Sequence, residues 1–271
     1  MRILDGRELA DYVKERQAKQ VRALRQAWKT FPKLAIVVAN DIEVIDTFVR
    51  LKHAYGEDVL IDVDIHKVEQ SAVASLIEQL NTDENVHGIV LQLPLTDPSQ
   101  TDELVALIDP AKDVDGLGPE AHYSSATATA IDWLAAGYNV TLRDRSIAIV
   151  GNGRLVGAPL AKLWLNAGLN VRVYDNTTTN LQEVLRAADV IVTATGVPGL
   201  ITSSMIAPGK VVIDAGTASE NGVIVGDVAD DVRERQDLTI TPIKGGVGPL
   251  TIAALFDNVM TAARKTVPAD E

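Results

Sequence analysis

Cysteine is absent from the 271 residues, which excludes both disulfide bonds and thiolate metal ligands. The four histidines follow no metal-binding spacing such as HxxxH or HExxH; they are His53, His66, His87 and His122. We therefore expect no metal centre. The lack of cysteine also fits a cytoplasmic protein, because the cytoplasm is reducing.

Long apolar runs are missing too. No stretch reaches the roughly 18 apolar residues of a membrane-spanning helix, and the first residues lack the apolar core of a secretory signal. Positive charge is scarce, with 25 Lys and Arg against 37 Asp and Glu and a net charge of −12. Because such a chain repels a phosphate backbone, we expect neither nucleic acid nor membrane as a partner.

The sequence does contain a regular alternation of short β-branched runs and amphipathic stretches. This alternation indicates βαβ units and parallel sheets, so the predicted fold class is α/β, with two α/β domains. The predicted strands cover residues 34–38, 59–63, 88–92, 147–150, 170–174, 190–193, 211–214 and 238–241. Helical patterns cover residues 43–56, 70–81, 101–108, 125–136, 155–167, 180–187 and 249–264.

A proline- and glycine-rich break at residues 110–119 follows the first three strands and marks the predicted domain boundary. Residues 1–118 would form the first domain and residues 119–248 the second. A glycine loop at residues 245–249 precedes the last helical pattern. We expect the C-terminal helix, in the segment 249–271, to complete the first domain.

The second domain opens with a strand, a glycine turn and a helix, the arrangement that holds a dinucleotide pyrophosphate. Gly151 supplies the turn, and Gly153 has no side chain to keep phosphate from the backbone N–H groups. The third glycine, Gly157, comes one residue later than in GxGxxG. Because glycine turns are common, a Rossmann-like domain without a cofactor is the alternative.

Two later segments support a dinucleotide site. Asp175 follows the next strand, 24 residues after Gly151, close to where an acidic residue binds the adenosine ribose. The strand after that ends at Thr195 and Gly196, in a turn suited to passing under the cofactor. A carboxylate at 175 would repel a 2′-phosphate, so NAD is favoured over NADP. The alternative is that Asp175 only caps the loop behind it.

In the first half, Phe48 and Lys52 share one face of a predicted helix. A lysine beside aromatic rings is commonly a surface residue, and the sequence alone leaves that alternative open. Gln92 is the polar residue at the end of an apolar strand, where a buried amide needs partners, which favours a functional role. Asp113 and Asp115 lie in a Gly/Pro loop, where one of them could simply cap a turn.

Four segments together resemble the bifunctional methylenetetrahydrofolate dehydrogenase/methenyltetrahydrofolate cyclohydrolase family. They are GIVLQLPL at residues 88–95, KDVDG at 112–116, GNGRLVGAP at 151–159 and GGVGPLT at 245–251. Their order and spacing match the family over nearly the whole chain. The resemblance implies an N-terminal folate-binding domain, a C-terminal Rossmann domain and an active-site cleft between them.

The resemblance also implies roles for individual residues. Lys52 occupies the place of the family's catalytic lysine, Gln92 that of the glutamine that contacts it, and Asp115 that of the aspartate that hydrogen-bonds the pterin. These three residues form the expected catalytic set. The expected substrate contacts are Phe48, Lys52, Gln92, Asp115, Gly246 and Pro249.

The sequence departs from the family pattern near both ligands. The tyrosine four residues before the lysine is Phe48, which keeps a ring but has no hydroxyl, and a usual serine is Ile45. The common Gly-Arg-Ser of the cofactor turn is Gly-Asn-Gly, which removes a contact to an NADP phosphate and favours NAD. Arg154 could partly compensate, so NADP stays open. The expected cofactor contacts are Gly151, Asn152, Gly153, Arg154, Gly157, Asp175, Thr195, Gly196 and Thr217.

The implied function is a homodimeric cytoplasmic enzyme of one-carbon metabolism, connected with purine biosynthesis. It would oxidise 5,10-methylenetetrahydrofolate with NAD or NADP and hydrolyse the methenyl product to 10-formyltetrahydrofolate. The loss of the tyrosine hydroxyl predicts a cyclohydrolase that is weak relative to the dehydrogenase. The alternatives are a non-catalytic or dehydrogenase-only relative, or another two-domain enzyme similar to shikimate dehydrogenases.

Overall fold

The computed structural model describes residues 1–220 and 223–267, so the end of the predicted segment 249–271 lies outside the described residues. The helices are α1 (Gly6–Ala27), α2 (Glu43–Val59), α3 (Val73–Thr82), α4 (Thr101–Ala106), α5 (Ala126–Gly137), α6 (Gly157–Asn166), α7 (Leu181–Ala187), α8 (Asp230–Arg233) and α9 (Val247–Lys265). The strands are β1 (Arg2–Ile3), β2 (Lys33–Val38), β3 (Asp62–Lys67), β4 (Gly88–Gln92), β5 (Ser146–Val150), β6 (Asn170–Tyr174), β7 (Val190–Thr193), β8 (Val211–Asp214), β9 (Ala218–Glu220), β10 (Val223–Val225) and β11 (Thr239–Ile240).

The chain divides into two compact units. The first, the six-stranded unit, comprises Met1–Ala10 and Thr127–Thr251. Its parallel sheet has the strand order β1-β11-β8-β7-β5-β6. The first ten residues belong to this unit because β1 pairs with β11, a placement that the sequence pattern does not indicate.

The core of the six-stranded unit follows from its strand register. Ala148, Ile191 and Val212 are partners on neighbouring strands, so their side chains point to the same face. Leu185 of α7 and Val232 of α8 belong to the same buried cluster. Strand β7 is buried at every position, as expected for a central parallel strand covered on both faces.

The second, the three-stranded unit, comprises Asp11–Ala126 and the chain from Ile252 onward. Its sheet is parallel, with β2 in the centre between β3 and β4. Ala35 and Val37 of β2 pack in one buried cluster with Val73 and Ile77 of α3 and with Leu104 of α4. The position of the carboxyl end of β4 is therefore set by its pairing with β2 and by the helices that pack on the sheet.

The C-terminal end of helix α2 lies where the sequence pattern predicts the start of a strand. Its buried residues include Ile45, Val49 and Val59, at the spacing of an amphipathic helix. The helix ends where Leu60 adopts a left-handed φ of 64°. Strand β3 begins only at Asp62, so the predicted strand 59–63 is wrong over its first residues. The β-branched run includes the last helical turn, in which the burial of Val59 outweighs strand propensity.

The predicted α/β class with parallel sheets is confirmed. Four predicted strands, at residues 88–92, 170–174, 190–193 and 211–214, coincide with β4, β6, β7 and β8. Strand β1 was not predicted, because two residues carry no periodicity. Its pairing depends on a partner more than 230 residues away in the chain.

Candidate active site

Lys52 and Gln92 meet in the three-stranded unit. Lys52 comes from α2, and Gln92 is the last residue of β4. The lysine Nζ donates to Gln92 Oε1 at 2.7 Å, and Gln92 Nε2 donates to the carbonyl of Leu93 at 3.1 Å. The second bond fixes which end of the amide faces the lysine. The structure thus brings together these two predicted catalytic residues, which are 40 positions apart.

The electrostatic surroundings of Lys52 favour a neutral amine more than water does. Burial lowers the pKa of Lys52, and the Asp115 carboxylate partly opposes that effect. Burial raises the pKa of Asp115, while Lys52 acts in the opposite direction. Lysine and aspartate therefore interact through charge, with the glutamine as the direct hydrogen-bond partner of the amine.

The loop that carries Asp115 is organised by its neighbour Asp113. The buried Asp113 carboxylate accepts hydrogen bonds from the backbone N–H groups of Gly116 at 3.0 Å and Gly118 at 2.6 Å. Asp113 is thus the aspartate that caps the turn. Its neighbour Asp115 has no such task among the described hydrogen bonds.

The same loop is held from the C-terminal helix. Asn258 of α9 donates through Nδ2 to the carbonyls of Val114 at 2.9 Å and Ser124 at 3.1 Å. The backbone of Gly116 has a φ of +69°, which a residue with a side chain rarely adopts. The position of Asp115 therefore depends both on its own loop and on helix α9, which is distant in the sequence.

Tyr55, the tyrosine on the same helix, does not replace the hydroxyl that is missing at Phe48. Phe48 is half-buried, and Ile45 is fully buried in the core. On the same helix, the Tyr55 hydroxyl donates to Gln17 Oε1 at 2.8 Å, and its ring lies 5.0 Å from that of Phe256. Tyr55 is therefore engaged in packing α2 against α1 and α9.

The glycine turn after β5 has the geometry of a ligand cradle. Gly151 has a φ of +101°, and its N–H donates to the carbonyl of Tyr174 at 2.7 Å. A side chain at Gly151 would overlap the backbone of Ala194, and one at Gly157 would overlap Gly151. A Cβ at Gly153 would meet nothing within 4 Å. The first and third glycines are thus needed for packing, whereas the second leaves open space above the turn.

The side chains around this turn are exposed. Helix α6 begins at Gly157, so Asn152 and Arg154 lie in the segment before it, and both are exposed. The exposed Asp175 accepts hydrogen bonds from the backbone N–H of Thr177 at 2.9 Å and from its hydroxyl at 2.6 Å. These bonds lower the pKa of Asp175. Asp175 does cap its loop, and its carboxylate is ionised at neutral pH.

The remaining predicted ligand residues lie in three loops and in the first turn of α9, all within the six-stranded unit. Gly196, with φ +68°, lies next to Thr217, whose carbonyl would be 3.5 Å from a Cβ at Gly196. Gly246 is buried, and a side chain at Gly6 would overlap it. Pro249 is in the first turn of α9.

Sequence reasoning missed a group of charged residues between these loops. Asp227 is fully buried and binds Thr193 and Thr195, while Asp214 pairs with Arg233 at 2.6 Å. Their hydrogen bonds and ion pair could not be predicted from the sequence, because their burial arises from segments that meet only in the fold.

Among the described residues, no group of three or more His, Cys, Asp or Glu side chains could hold a metal ion. No helix in the described part of the chain is both long enough and apolar enough to cross a membrane.

The chain combines a parallel-sheet unit that carries a dinucleotide turn with a second unit that carries a partly desolvated lysine. This combination is typical of two-domain nicotinamide-dependent dehydrogenases. The sequence model of the tetrahydrofolate dehydrogenase/cyclohydrolase catalytic domain matches residues 4–115. The model of the NAD(P)-binding domain of the same family matches residues 125–267. The chain belongs to the tetrahydrofolate dehydrogenase/cyclohydrolase family.

Individual relatives agree with this assignment. The bifunctional protein FolD of Hydrogenobaculum sp. (strain Y04AAS1) is 36% identical over 282 residues, which cover 98% of this chain and 100% of that protein. The FolD crystal structure from Campylobacter jejuni has a TM-score of 0.92 and 33% identity, and covers 98% of this chain and 100% of that one. The Trypanosoma brucei methylenetetrahydrofolate dehydrogenase-cyclohydrolase, solved with NADP and an inhibitor, has a TM-score of 0.91 and 30% identity, with 98% of each chain covered.

The shikimate dehydrogenase alternative does not hold. A shikimate 5-dehydrogenase from Thermus thermophilus is 15% identical with a TM-score of 0.57, which is a likeness of fold alone. Both family matches instead support the resemblance found in the sequence.

Proposed function

We propose that this protein catalyses both reactions of its family, with Lys52, Gln92 and Asp115 as the catalytic set. The dehydrogenase would oxidise 5,10-methylenetetrahydrofolate to the methenyl cation, and the cyclohydrolase would open that cation to 10-formyltetrahydrofolate. The observation that carries the proposal is the hydrogen bond between Lys52, whose pKa is lowered, and Gln92, in a chain that matches both family domains.

The residues of the glycine turn fit a dinucleotide. Gly151 and Gly157 pack the turn against its neighbours, while the open space at Gly153 lets an anion approach the backbone. When bound, NAD(P) supplies the hydride acceptor for the methylene carbon of the folate. The protein needs little acid-base chemistry for this step, so its contribution is to position the substrate. We assign that positioning to Asp115, with Phe48 packing on the folate.

In the cyclohydrolase step, water adds to the cationic methenyl carbon and gives up a proton. The bond from that carbon to N5 then breaks as N5 takes up a proton, which leaves the formyl group on N10. The water must lose a proton as it adds, so a neutral amine is needed nearby. Burial increases the neutral fraction of Lys52, and a cationic substrate would increase it further. The Gln92 oxygen holds the amine in place.

The test is to follow methenyl-tetrahydrofolate hydrolysis in the native protein and in Lys52→Met. We expect a loss of about 100-fold or more, the usual contribution of a positioned acid-base group. Lys67→Met is the control, because Lys67 is an exposed residue on β3 whose ion pairs in the described part of the chain are with Asp46 and Asp41. Equal rates in the native protein and Lys52→Met would refute the role of Lys52.

Phe48 gives a second test of the same chemistry. Phe48→Tyr would restore the hydroxyl of the family pattern, and we expect the ratio of cyclohydrolase to dehydrogenase rates to rise up to about tenfold. Phe48→Leu keeps apolar bulk without a ring and should weaken folate binding in both reactions. An unchanged ratio in Phe48→Tyr would mean that the hydroxyl has no part in this enzyme.

We also propose that NAD is preferred over NADP. The support is the Asn152-Gly153 pair at the place of the family's Arg-Ser, together with the low pKa of Asp175, which keeps a negative charge near the expected ribose. The assay measures the absorbance of reduced nicotinamide with methylenetetrahydrofolate and either cofactor. We expect a higher kcat/KM with NAD.

Asp175→Asn separates the two interpretations of that residue. The amide oxygen can still accept from Thr177, so the loop stays capped while the charge is lost. If the carboxylate repels a 2′-phosphate, its removal should raise kcat/KM with NADP several-fold, which is the effect of about one charge-assisted interaction. If Asp175 only caps the loop, the NAD to NADP ratio stays at the native value.

Three further proposals, on the domain roles, the oligomeric state and the location of the protein, rest on the likeness to the family. Folate chemistry is assigned to residues 1–118 together with the C-terminal helix from residue 249, and cofactor binding to residues 119–248. The protein is proposed to be a homodimer, which analytical ultracentrifugation tests. It is also proposed to act in the cytoplasm, which cell fractionation tests.

A further inference from the structure

Asp227 is a fully buried carboxylate without a role in the chemistry assigned so far. Its Oδ2 accepts a hydrogen bond from the Thr193 hydroxyl at 2.5 Å and another from the backbone N–H of Thr195 at 2.6 Å. Its Oδ1 has no hydrogen-bond partner among the described residues. One oxygen thus holds the last residue of β7 and the loop that follows it.

The backbone of Asp227 is itself fixed by a buried ion pair. Asp214, at the end of β8, accepts from the N–H of Asp227 at 3.1 Å and from Arg233 Nη2 at 2.6 Å. Arg233 also donates to the carbonyl of Thr241. A side chain at Gly216 would overlap both carboxyl oxygens of Asp227, so that loop passes directly over the carboxylate.

The loop that Asp227 holds adjoins the other segments expected to bind the cofactor. Ala194, one residue before Thr195, touches the backbone of the Gly151 turn closely enough that only glycine fits there. Gly196 lies beside Thr217. These three segments lie at the carboxyl ends of parallel strands, which is the edge where such sheets bind ligands. The Thr195 N–H lies between them and is held in place by Asp227.

We propose that Asp227 is a positioning residue for the cofactor, which sets the backbone of residues 193–196 through the Thr195 N–H. The proposal rests on the proposed function, because it takes these loops as the dinucleotide site. A carboxyl group suits the task, because one of its oxygens can accept two hydrogen bonds at once, here from a hydroxyl and from a backbone N–H. Without it, a buried N–H and a buried hydroxyl would lose their partner, and the loop would rearrange to find others.

The test compares Asp227→Ala with Asp227→Asn. The asparagine oxygen can take both hydrogen bonds, with its NH₂ group at the place of Oδ1, whereas alanine removes both. We expect the Kd of reduced cofactor, measured by its fluorescence, to rise about tenfold or more in Asp227→Ala and to stay within about threefold of native in Asp227→Asn. The dehydrogenase KM for the cofactor should follow the Kd.

The cyclohydrolase reaction is the internal control, because it needs no nucleotide. Methenyl-tetrahydrofolate hydrolysis should stay within about twofold of native in both variants. If the native protein itself binds no cofactor and has neither activity, the proposed function fails, independently of Asp227.

Asp189→Ala is the matched variant for Asp227→Ala. Asp189 Oδ2 also accepts from one backbone N–H and one hydroxyl, both of Ser146, but at the amino end of the same strands. We expect it to lower the thermal midpoint without changing the Kd. The proposal is overturned if Asp227→Ala binds cofactor as the native protein does. It is also overturned if Asp189→Ala, with an equal loss of stability, weakens binding equally.

Discussion

At the scale of single residues, the arrangement around Lys52 combines two opposing influences on one amine. Burial favours the neutral form and the Asp115 charge favours the protonated form. Gln92 adds a neutral acceptor at 2.7 Å, which positions the amine without adding a second negative charge. An acid at position 92 would strengthen the protonated form and work against proton transfer from water.

This balance predicts the pH dependence of the cyclohydrolase. The neutral fraction of Lys52 grows as pH rises through its lowered pKa, so kcat should rise with pH toward a plateau. Asp115→Asn removes the charge that raises the pKa of Lys52, so the rising limb should move to lower pH. The measurement is kcat for methenyl hydrolysis against pH, after subtraction of the uncatalysed rate.

Two further outcomes complete that experiment. The same variant should raise the KM for folate by about tenfold if Asp115 makes the proposed hydrogen bond to the pterin. Asp64→Asn, which removes a partly exposed ion pair with Lys33, should leave the limb in place. A limb that moves to higher pH in Asp115→Asn would contradict the assigned coupling between Asp115 and Lys52.

At the scale of elements, the proposed catalytic residues come from a helix, a strand end and a loop. Helix α2 and strand β4 are regular, and their periodicity fixes which side chains point inward. The loop at residues 113–118 has no periodicity. Its shape comes from Asp113, which accepts hydrogen bonds from two backbone N–H groups, and from Gly116, which adopts a left-handed conformation.

The Gly116 loop can be tested by adding one methyl group. In Gly116→Ala the Cβ would lie 2.6 Å from the Ser125 N and 2.7 Å from the Tyr123 carbonyl oxygen, in addition to the strain of a φ of +69°. We expect a loss of more than about 2 kcal/mol of stability and a parallel loss of cyclohydrolase activity. Urea denaturation and the methenyl assay provide the two readouts.

Gly168→Ala is the comparison for that variant. Gly168 has a φ of +75°, but a Cβ there would meet nothing within 4 Å. It should cost about 1 kcal/mol and leave the kinetic constants unchanged. Equal effects of the two substitutions would mean that the contacts around Gly116 do not shape the site.

At the scale of the whole molecule, the chain order and the compact units differ. The first ten residues belong to the six-stranded unit, and the end of α9 belongs to the three-stranded unit. After Thr251, α9 contributes the buried side chains Phe256, Val259 and Met260 and the loop contact from Asn258. The three-stranded unit is therefore completed by residues more than 120 positions beyond its main segment.

A chain that ends at Thr251 should lose the folate chemistry. Each large apolar side chain removed takes away about 1.5–3 kcal/mol, and the sum approaches the whole stability of a typical domain. We expect no methenyl hydrolysis and rapid proteolysis within residues 11–126. A chain that ends at Val267 keeps α9 and serves as the control. Native hydrolysis by the shorter chain would show that α9 is dispensable.

The sequence alone established the α/β class, four strands with their bounds, the dinucleotide turn and the family. It could do so because periodicity, glycine turns and short motifs are local properties of the chain. It also named Lys52, Gln92 and Asp115 through the resemblance, but it left open whether Lys52 was only a surface residue and which aspartate capped the loop.

Only the tertiary structure decided how these groups meet. The contact of Lys52 with Gln92, the capping role of Asp113 and the buried Asp227 under Thr195 join segments that are far apart in the sequence. The physical reason is that burial, and the pKa shifts and hydrogen bonds that follow from it, depend on which elements pack together. Local patterns fix the elements but not their neighbours.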